Sequence, residues 1–247
     1  MDCFATPKYC IDVKLLSALQ VNQSVYQASF CYTETRALLF ASDARSSLQG
    51  LDVSVWSLDR EERVLRIRGG DGFGAKFVEV MEKSPILFTA DTNGYLSAHD
   101  LRSKGKIFSI FGTKQNLAGL AVEPGGVDNQ LVLAYKNGTI NFFDCRMLDS
   151  QHSSCSLWRS ISGHSKGSVT TLCKHENAPL LATATSSQVV KVWSTRAEQI
   201  GVVRPQSSIL GQNIGPTTCI AFAPYSLQLA SGGDDSVCAI YSLELMK

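Results

Sequence analysis

The sequence contains no Cys-x-x-Cys pair, no block of Lys and Arg longer than two, and no apolar run near the ~18 residues that cross a bilayer. Each absence closes a class of function. With 23 basic against 22 acidic side chains, the totals supply no field to gather nucleic acid or an anionic membrane. No nucleic acid and no membrane insertion are therefore expected among the partners. Met1 to Tyr9 has neither a basic region nor an apolar core of the signal-peptide kind, so a cytoplasmic protein is expected. The sequons at Asn22 and Asn137 then read as chance matches.

The eight cysteines, Cys3, Cys10, Cys31, Cys145, Cys155, Cys173, Cys219 and Cys238, are scattered. Cys31, Cys173, Cys219 and Cys238 lie inside apolar runs, where a free thiol acts as a small core residue. Cys145, His152 and Cys155 come nearest to a metal cluster, but their spacing fits no common zinc pattern and a fourth ligand is missing. No metal and no cofactor are expected.

Helical periodicity is also scarce, and a repeated pair of strands stands in its place. Pro85 to Asp91, Leu131 to Tyr135, Pro179 to Thr185 and Leu227 to Gly233 share one design, each followed by a polar turn and a second strand. Ala37 to Ser42 with Asp52 to Ser57 forms a further copy with a longer loop. Aligned on Trp56, His99, Phe143, Trp193 and Tyr241, the copies recur at intervals of 43, 44, 50 and 48 residues. Four-stranded propeller blades repeat at about 40–45 residues. Alternation in Val53-Ser-Val-Trp56 and Val190-Lys-Val-Trp193 fits half-buried strands. Asn93-Gly94 and Asn137-Gly138 predict two-residue hairpin turns with positive φ at both central positions. The fold class is all-β: a propeller of five four-stranded blades, at about 25–68, 76–111, 116–161, 168–204 and 217–247. Tyr9-Cys-Ile-Asp-Val-Lys-Leu15 alternates and reads as one more strand, so residues 1–24 are assigned to the outer strand of a preceding blade plus a linker. That strand would alternatively close a five-bladed ring against the last blade. Five blades of a seven-bladed ring is the expectation.

Gly163-His164, Leu181-Ala-Thr183 and Val190-Lys-Val-Trp193 resemble the WD-repeat signature. In that family His, Ser or Thr, a turn Asp and Trp form a hydrogen-bonded core within each blade. The resemblance assigns His164, Thr183 and Trp193 to one such core, with Ser187 at the Asp position. It assigns Ser231, Asp235 and Tyr241 to another, and Trp56 to the first blade. Over the last ninety residues a narrower likeness is found. Gly163 to Leu172, Glu198-Gln-Ile-Gly201, Gly211-Gln-Asn-Ile-Gly215 and Cys219 to Tyr225 resemble the two terminal blades of the raptor family. That resemblance implies a non-enzymatic scaffold of target-of-rapamycin complex 1 in nutrient and growth signalling. Its partners would be the target-of-rapamycin kinase and its substrates, with peripheral recruitment to lysosome or vacuole membranes. An unrelated WD-repeat adaptor, such as a ubiquitin-ligase substrate receptor, is the second reading. It calls for Arg around the central channel, where these turns carry Asn, Ser and Asp.

Catalytic readings fail on context. Gly69-Gly-Asp-Gly-Phe-Gly-Ala-Lys76 looks like a phosphate-binding loop, but an inner strand follows it where a helix N-terminus is required. No Gly-x-Ser-x-Gly elbow accompanies His99, His152, His164 or His175. Glu61-Glu62 and Asp234-Asp235 read as solvated turn charge. No catalytic residue is assigned. What remains is loop surface on a rigid scaffold: Asp91, Thr92, Lys136, Ser186, Ser187, Asp234 and the 43–51 insertion are the candidate protein-binding face.

Overall fold

The structure is a computed structural model that describes residues 24–33, 36–44, 53–67, 76–81, 84–91, 94–103, 105–110, 115–146, 156–203 and 215–242. At 24–33, 36–44, 105, 108 and 110 only the backbone is described. The strand read at residues 9–15 and the 45–51 part of the insertion lie outside these residues, as does the glycine loop up to Ala75.

Among the described residues the strands form antiparallel meanders, one per blade. The first blade holds β1 (Ser24–Thr33), β2 (Arg36–Ala44), β3 (Val53–Ser57) and β4 (Glu62–Ile67). The second holds β5 (Phe77–Val80), β6 (Ile86–Ala90), β7 (Leu96–Asp100) and β8 (Gly105–Ile110). The third holds β9 (Leu117–Val122), β10 (Gln130–Tyr135), β11 (Thr139–Asp144) and β12 (Ser156–Ser162). The fourth holds β13 (Val169–Lys174), β14 (Leu180–Thr185), β15 (Val190–Ser194) and β16 (Gln199–Val203). The fifth has β17 (Thr217–Phe222), β18 (Gln228–Gly233) and β19 (Cys238–Ser242), with no fourth strand among the described residues. The inner strands lie side by side in chain order, β1 on β5, β5 on β9, β9 on β13 and β13 on β17. This is a run of propeller blades.

The core sits between sheets. In β10 and β11, Leu131, Leu133 and Phe143 pack toward the second blade with Phe88 and Leu96. Val132, Ala134 and Phe142 pack toward the fourth with Val169, Leu181 and Trp193. A strand buried on both faces must be apolar at successive positions, which is why Leu131-Val-Leu-Ala-Tyr135 shows no alternation. Ala182, Ala184, Val190 and Val192 of the fourth blade likewise cover Ile220 and Leu229 of the fifth. The fifth blade then shows its other face to solvent. By register, Ile240 holds the place of Val192, yet it is 73% exposed where Val192 is 1% exposed.

The Asn137-Gly138 turn differs from the type read from the sequence, and Asn93 lies outside the described residues. Gly138 N donates to Tyr135 O at 3.0 Å, and Gly138 is left-handed (φ 93) while Asn137 is not. Asn137 instead accepts Thr139 N–H on its Oδ1 at 3.0 Å, a side chain closing its own turn. Gly94, Gln188 and Ser236 take the same left-handed place in their blades. The loop is three residues long with its αL residue last, the second common hairpin solution.

Candidate protein-interaction face

The turns between second and third strands are pinned alike. Lys136 N donates to Asn116 O (2.7 Å), Ser186 N to Ser168 O (2.8 Å) and Asp234 N to Pro216 O (3.1 Å), each acceptor standing at the entry to the inner strand of the same blade. Neighbouring inner strands run side by side, so these turns crown one end of the array. Lys136, Ser186, Ser187 and Asp234 are exposed there. Asp91 is not part of that surface: it is 4% exposed, and its Oδ1 accepts Tyr95 N–H at 2.6 Å. An Asp at this place closes the turn locally. Thr92 lies outside the described residues.

Beneath the face, the second and third strands of the second, fourth and fifth blades are tied at one equivalent pair of positions. In the fourth blade Trp193 donates Nε1–H to Thr183 Oγ1 at 2.8 Å, and His164 Nε2 lies 2.7 Å from the same oxygen. All three side chains are buried, and the rings of His164 and Trp193 meet edge to face at 6.2 Å. Burial, with Lys191 nearby, pushes the His164 imidazole down to about 4, so it is neutral at pH 7. Ser187 lies 3.0 Å from Thr185 through its hydroxyl and donates to Lys166 O at 3.3 Å, away from the imidazole. In the fifth blade Ser231 and Tyr241 repeat the tie at 3.3 Å, and Asp235 Oδ1 accepts Val237 N–H. In the second blade Thr89 and His99 stand at 3.5 Å, with His99 also pushed to about 4 by burial and Lys106.

The third blade has lost both members of the pair and the first has lost one. Leu133 and Phe143 hold the two places in the third blade and bury hydrocarbon instead. In the first, the register puts Ala41 where a hydroxyl would be, and the buried Trp56 Nε1 has no acceptor among the described residues. An unsatisfied buried donor costs about 1–3 kcal/mol, and the Arg63 guanidinium 6.0 Å from the Trp56 ring centre offsets little of that.

Charged and nucleophilic groups on the inner strands are engaged. Lys174 Nζ pairs with Glu79 at 3.4 Å and donates to Val122 O at 2.7 Å, spanning the second to the fourth blade. Burial raises the Glu79 carboxyl even so, against the lowering effect of Lys174. His175 Nδ1 accepts the N–H of Asn177 and of Ala178 at 3.0 Å each, so its proton sits on Nε2, which donates to Ser226 O at 3.2 Å. Burial pushes the Cys173 thiol up to about 12, far from a reactive thiolate. Cys145 is buried, while His152 and Cys155 lie outside the described residues. Lys76 leads into β5, a strand. Lys174 and His175 thus join neighbouring blades.

One set of surface residues escaped sequence reasoning. Opposite Trp56, His99, Phe143 and Trp193, each outer strand carries a bulge that skips one residue, respectively Val64, Ile107, Trp158 and Ile200. A bulge re-aims its extra side chain. Val64, Trp158 and Ile200 are 44%, 43% and 55% exposed, whereas Ile107 is half-buried against the core. Nothing in the alternation of the outer strands announces this. The signal lay in the match of bulge to aromatic position, which needs the register.

Comparison with known proteins is in keeping with this geometry. The family described as WD domain, G-beta repeat, matches residues 155–194 and 205–242. The chain is similar to Regulatory-associated protein of TOR 1 of Arabidopsis thaliana, 30% identical over 211 residues, covering 83% of this chain and 15% of the relative. It is similar to Regulatory-associated protein of TOR 2 of Oryza sativa subsp. japonica, 27% identical over 245 residues, covering 93% of this chain and 17% of the relative. Target of rapamycin complex 1 subunit mip1 of Schizosaccharomyces pombe is 32% identical over 162 residues, covering 64% of this chain and 12% of the relative. The chain thus spans under a fifth of the length of these relatives. The crystal structure of Chaetomium thermophilum Raptor shares the fold, with a TM-score of 0.70 at 20% identity over 87% of this chain and 19% of that one.

Proposed function

We propose that this chain, a stretch of WD-repeat propeller similar over most of its length to the raptor proteins, is a non-enzymatic protein-binding segment of a raptor-like subunit of target-of-rapamycin complex 1. The likeness to Regulatory-associated protein of TOR 1, 30% over 211 residues, carries the reading. The engaged histidines and carboxylates support a scaffold over an enzyme. Lys136, Ser186, Ser187 and Asp234 supply the contact face for the target-of-rapamycin kinase or its substrates. The site of action is the cytoplasm, with peripheral recruitment to lysosome or vacuole membranes; no helix among the described residues is long and apolar enough to cross a membrane. Residues 25–247 are five blades of a seven-bladed ring, and residues 1–24 belong to the outer strand of a preceding blade and its linker. The solvent-facing Ile240 supports further blades of the same ring against the fifth.

The test is affinity purification of the endogenous protein under native conditions. Co-purification of the target-of-rapamycin kinase, reduced by charge reversal at Lys136 together with Asp234, is expected. A protein that returns a ubiquitin ligase and no kinase would overturn the reading.

A further inference from the structure

Each outer strand ends its sheet and pairs, among the described residues, only with the third strand of its own blade. Such an edge offers a row of unpaired N–H and C=O groups, and a charged side chain is a common guard against pairing with another chain. β4 carries Glu62, Arg63 and Arg66, β8 carries Lys106 and β12 carries Arg159. β16, Gln199-Ile-Gly-Val-Val203, carries no charge within its length. The bulge opposite the aromatic position is common to all four strands, so the missing charge is where β16 differs. Its side chains point the same way. Ile200 and Val202 are 55% and 39% exposed. Between them lies Gly201, in register with Val192. Neither ordinary demand for glycine applies to it: its φ is not left-handed, and a β-carbon there would meet nothing within 4 Å. A glycine inside a strand weakens it, and often marks a place where another backbone comes close.

An unguarded edge specifies its occupant, because its main-chain groups are matched by extended backbone and the side chains beside them set the preference. The ladder that already joins β15 to β16 would simply continue outward. At ~3.4 Å per residue β16 is a strip about 17 Å long. That is too little to supply the ~800 Å² per partner that a stable dimer buries, which favours a flexible segment over a second folded copy of this chain. We infer that β16 accepts an uncharged, extended segment of a protein partner as a fifth strand of the fourth blade, with β-branched or aliphatic residues beside Ile200 and Val202. The inference rests on the fourth blade alone and stands whether or not the chain serves the complex named above.

The test is ¹⁵N NMR of the full chain titrated with the peptide acetyl-Thr-Val-Thr-Val-Thr-amide. Its counterpart N-methylated at every amide keeps the side chains and cannot donate to the edge. The first peptide is expected to shift the backbone amides of Gln199–Val203 saturably and leave those of β4, β8 and β12 unmoved. The methylated counterpart should bind about tenfold more weakly or not at all, since the main chain carries the affinity. Val202→Lys, at an exposed place, adds the kind of guard the other outer strands carry. It should weaken the peptide by about tenfold or more without moving the melting temperature. Val64→Lys, at an exposed bulge of the first blade, is the control and should leave binding unchanged. Equal binding of the methylated counterpart, full binding to Val202→Lys, or no saturable shift in β16 up to the solubility limit of the peptide would each overturn the inference. So would β16 shifts that grow with protein concentration in the absence of peptide, which would make a second copy the occupant.

Discussion

A β-carbon on Gly138 would stand 2.2 Å from the carbonyl oxygen of His164, in the next blade. The two residues are already joined, since Gly138 O accepts the N–H of Gly163 at 2.8 Å and of His164 at 3.2 Å. The turn of one blade is thereby the socket for the entry of the next.

Gly138→Ala is expected to lose about 3 kcal/mol or more in denaturant unfolding, from left-handed strain and a backbone clash together. Gly126→Ala separates the two, because Gly126 is also left-handed (φ 72) but nothing lies within 4 Å of its β-carbon position. It should lose only about 1 kcal/mol. Equal losses would show that the contact with His164 contributes nothing.

Thr183→Val keeps the volume of the buried side chain and removes the oxygen on which Trp193 and His164 converge. A loss of about 2–3 kcal/mol is expected, since a buried indole donor is left unpaired. Ser231→Ala, at the longer and wetter tie to Tyr241, should lose about 1 kcal/mol or less. Thermal melts of both variants rank them, and the reverse order would count against the core assignment.

Acid should weaken the fold between the ordinary histidine value of 6.5 and about 4. His99 and His164 are both pushed down to about 4 when folded, so in that window the unfolded chain binds more protons. Stability therefore rises with pH there: it is fully present above 6.5, falls as pH drops, and stops falling from this cause below about 4. Calorimetry at pH 5.3 should detect an uptake on unfolding approaching one proton for each of the two. His164→Gln should remove about half of it; an unchanged uptake would mean that His164 is not held neutral.

Ile240→Glu and Val192→Glu test the asymmetry between the last two blades. The first alters a side chain 73% exposed and should change unfolding free energy by less than about 0.5 kcal/mol while reducing self-association. The second places a charge in the packed joint against Ile220 and Leu229 and should prevent folding of the fourth and fifth blades. Tolerance of both would mean that the joint is loose.

The blades were legible because their strands carry strong local signals: recurrent apolar pairs, Asn-Gly turns, and an aromatic at a fixed distance. The register that puts Leu181 against Trp193 follows from that pattern. Less of the face could be read. Asp91 has the composition of a surface turn residue, and only the position of Tyr95 N–H reveals it as a cap. Asn137-Gly138 is compatible with two hairpin geometries, and the choice depends on where Asn137 sends its amide oxygen. Trp158 reads as a strand residue like its neighbours, and the bulge at which it sits depends on the register with the partner strand.

The matched repeat of residues 155–194 begins beside β12, in the third blade, and ends with β15, in the fourth. The unit that recurs along the chain is therefore out of phase with the unit that packs. Excising such a unit would leave β9, β10 and β11 followed directly by β16, a complete four-stranded sheet with no orphaned edge. Whole blades can be added to or removed from the array by an exchange of sequence that never has to respect the limits of a blade.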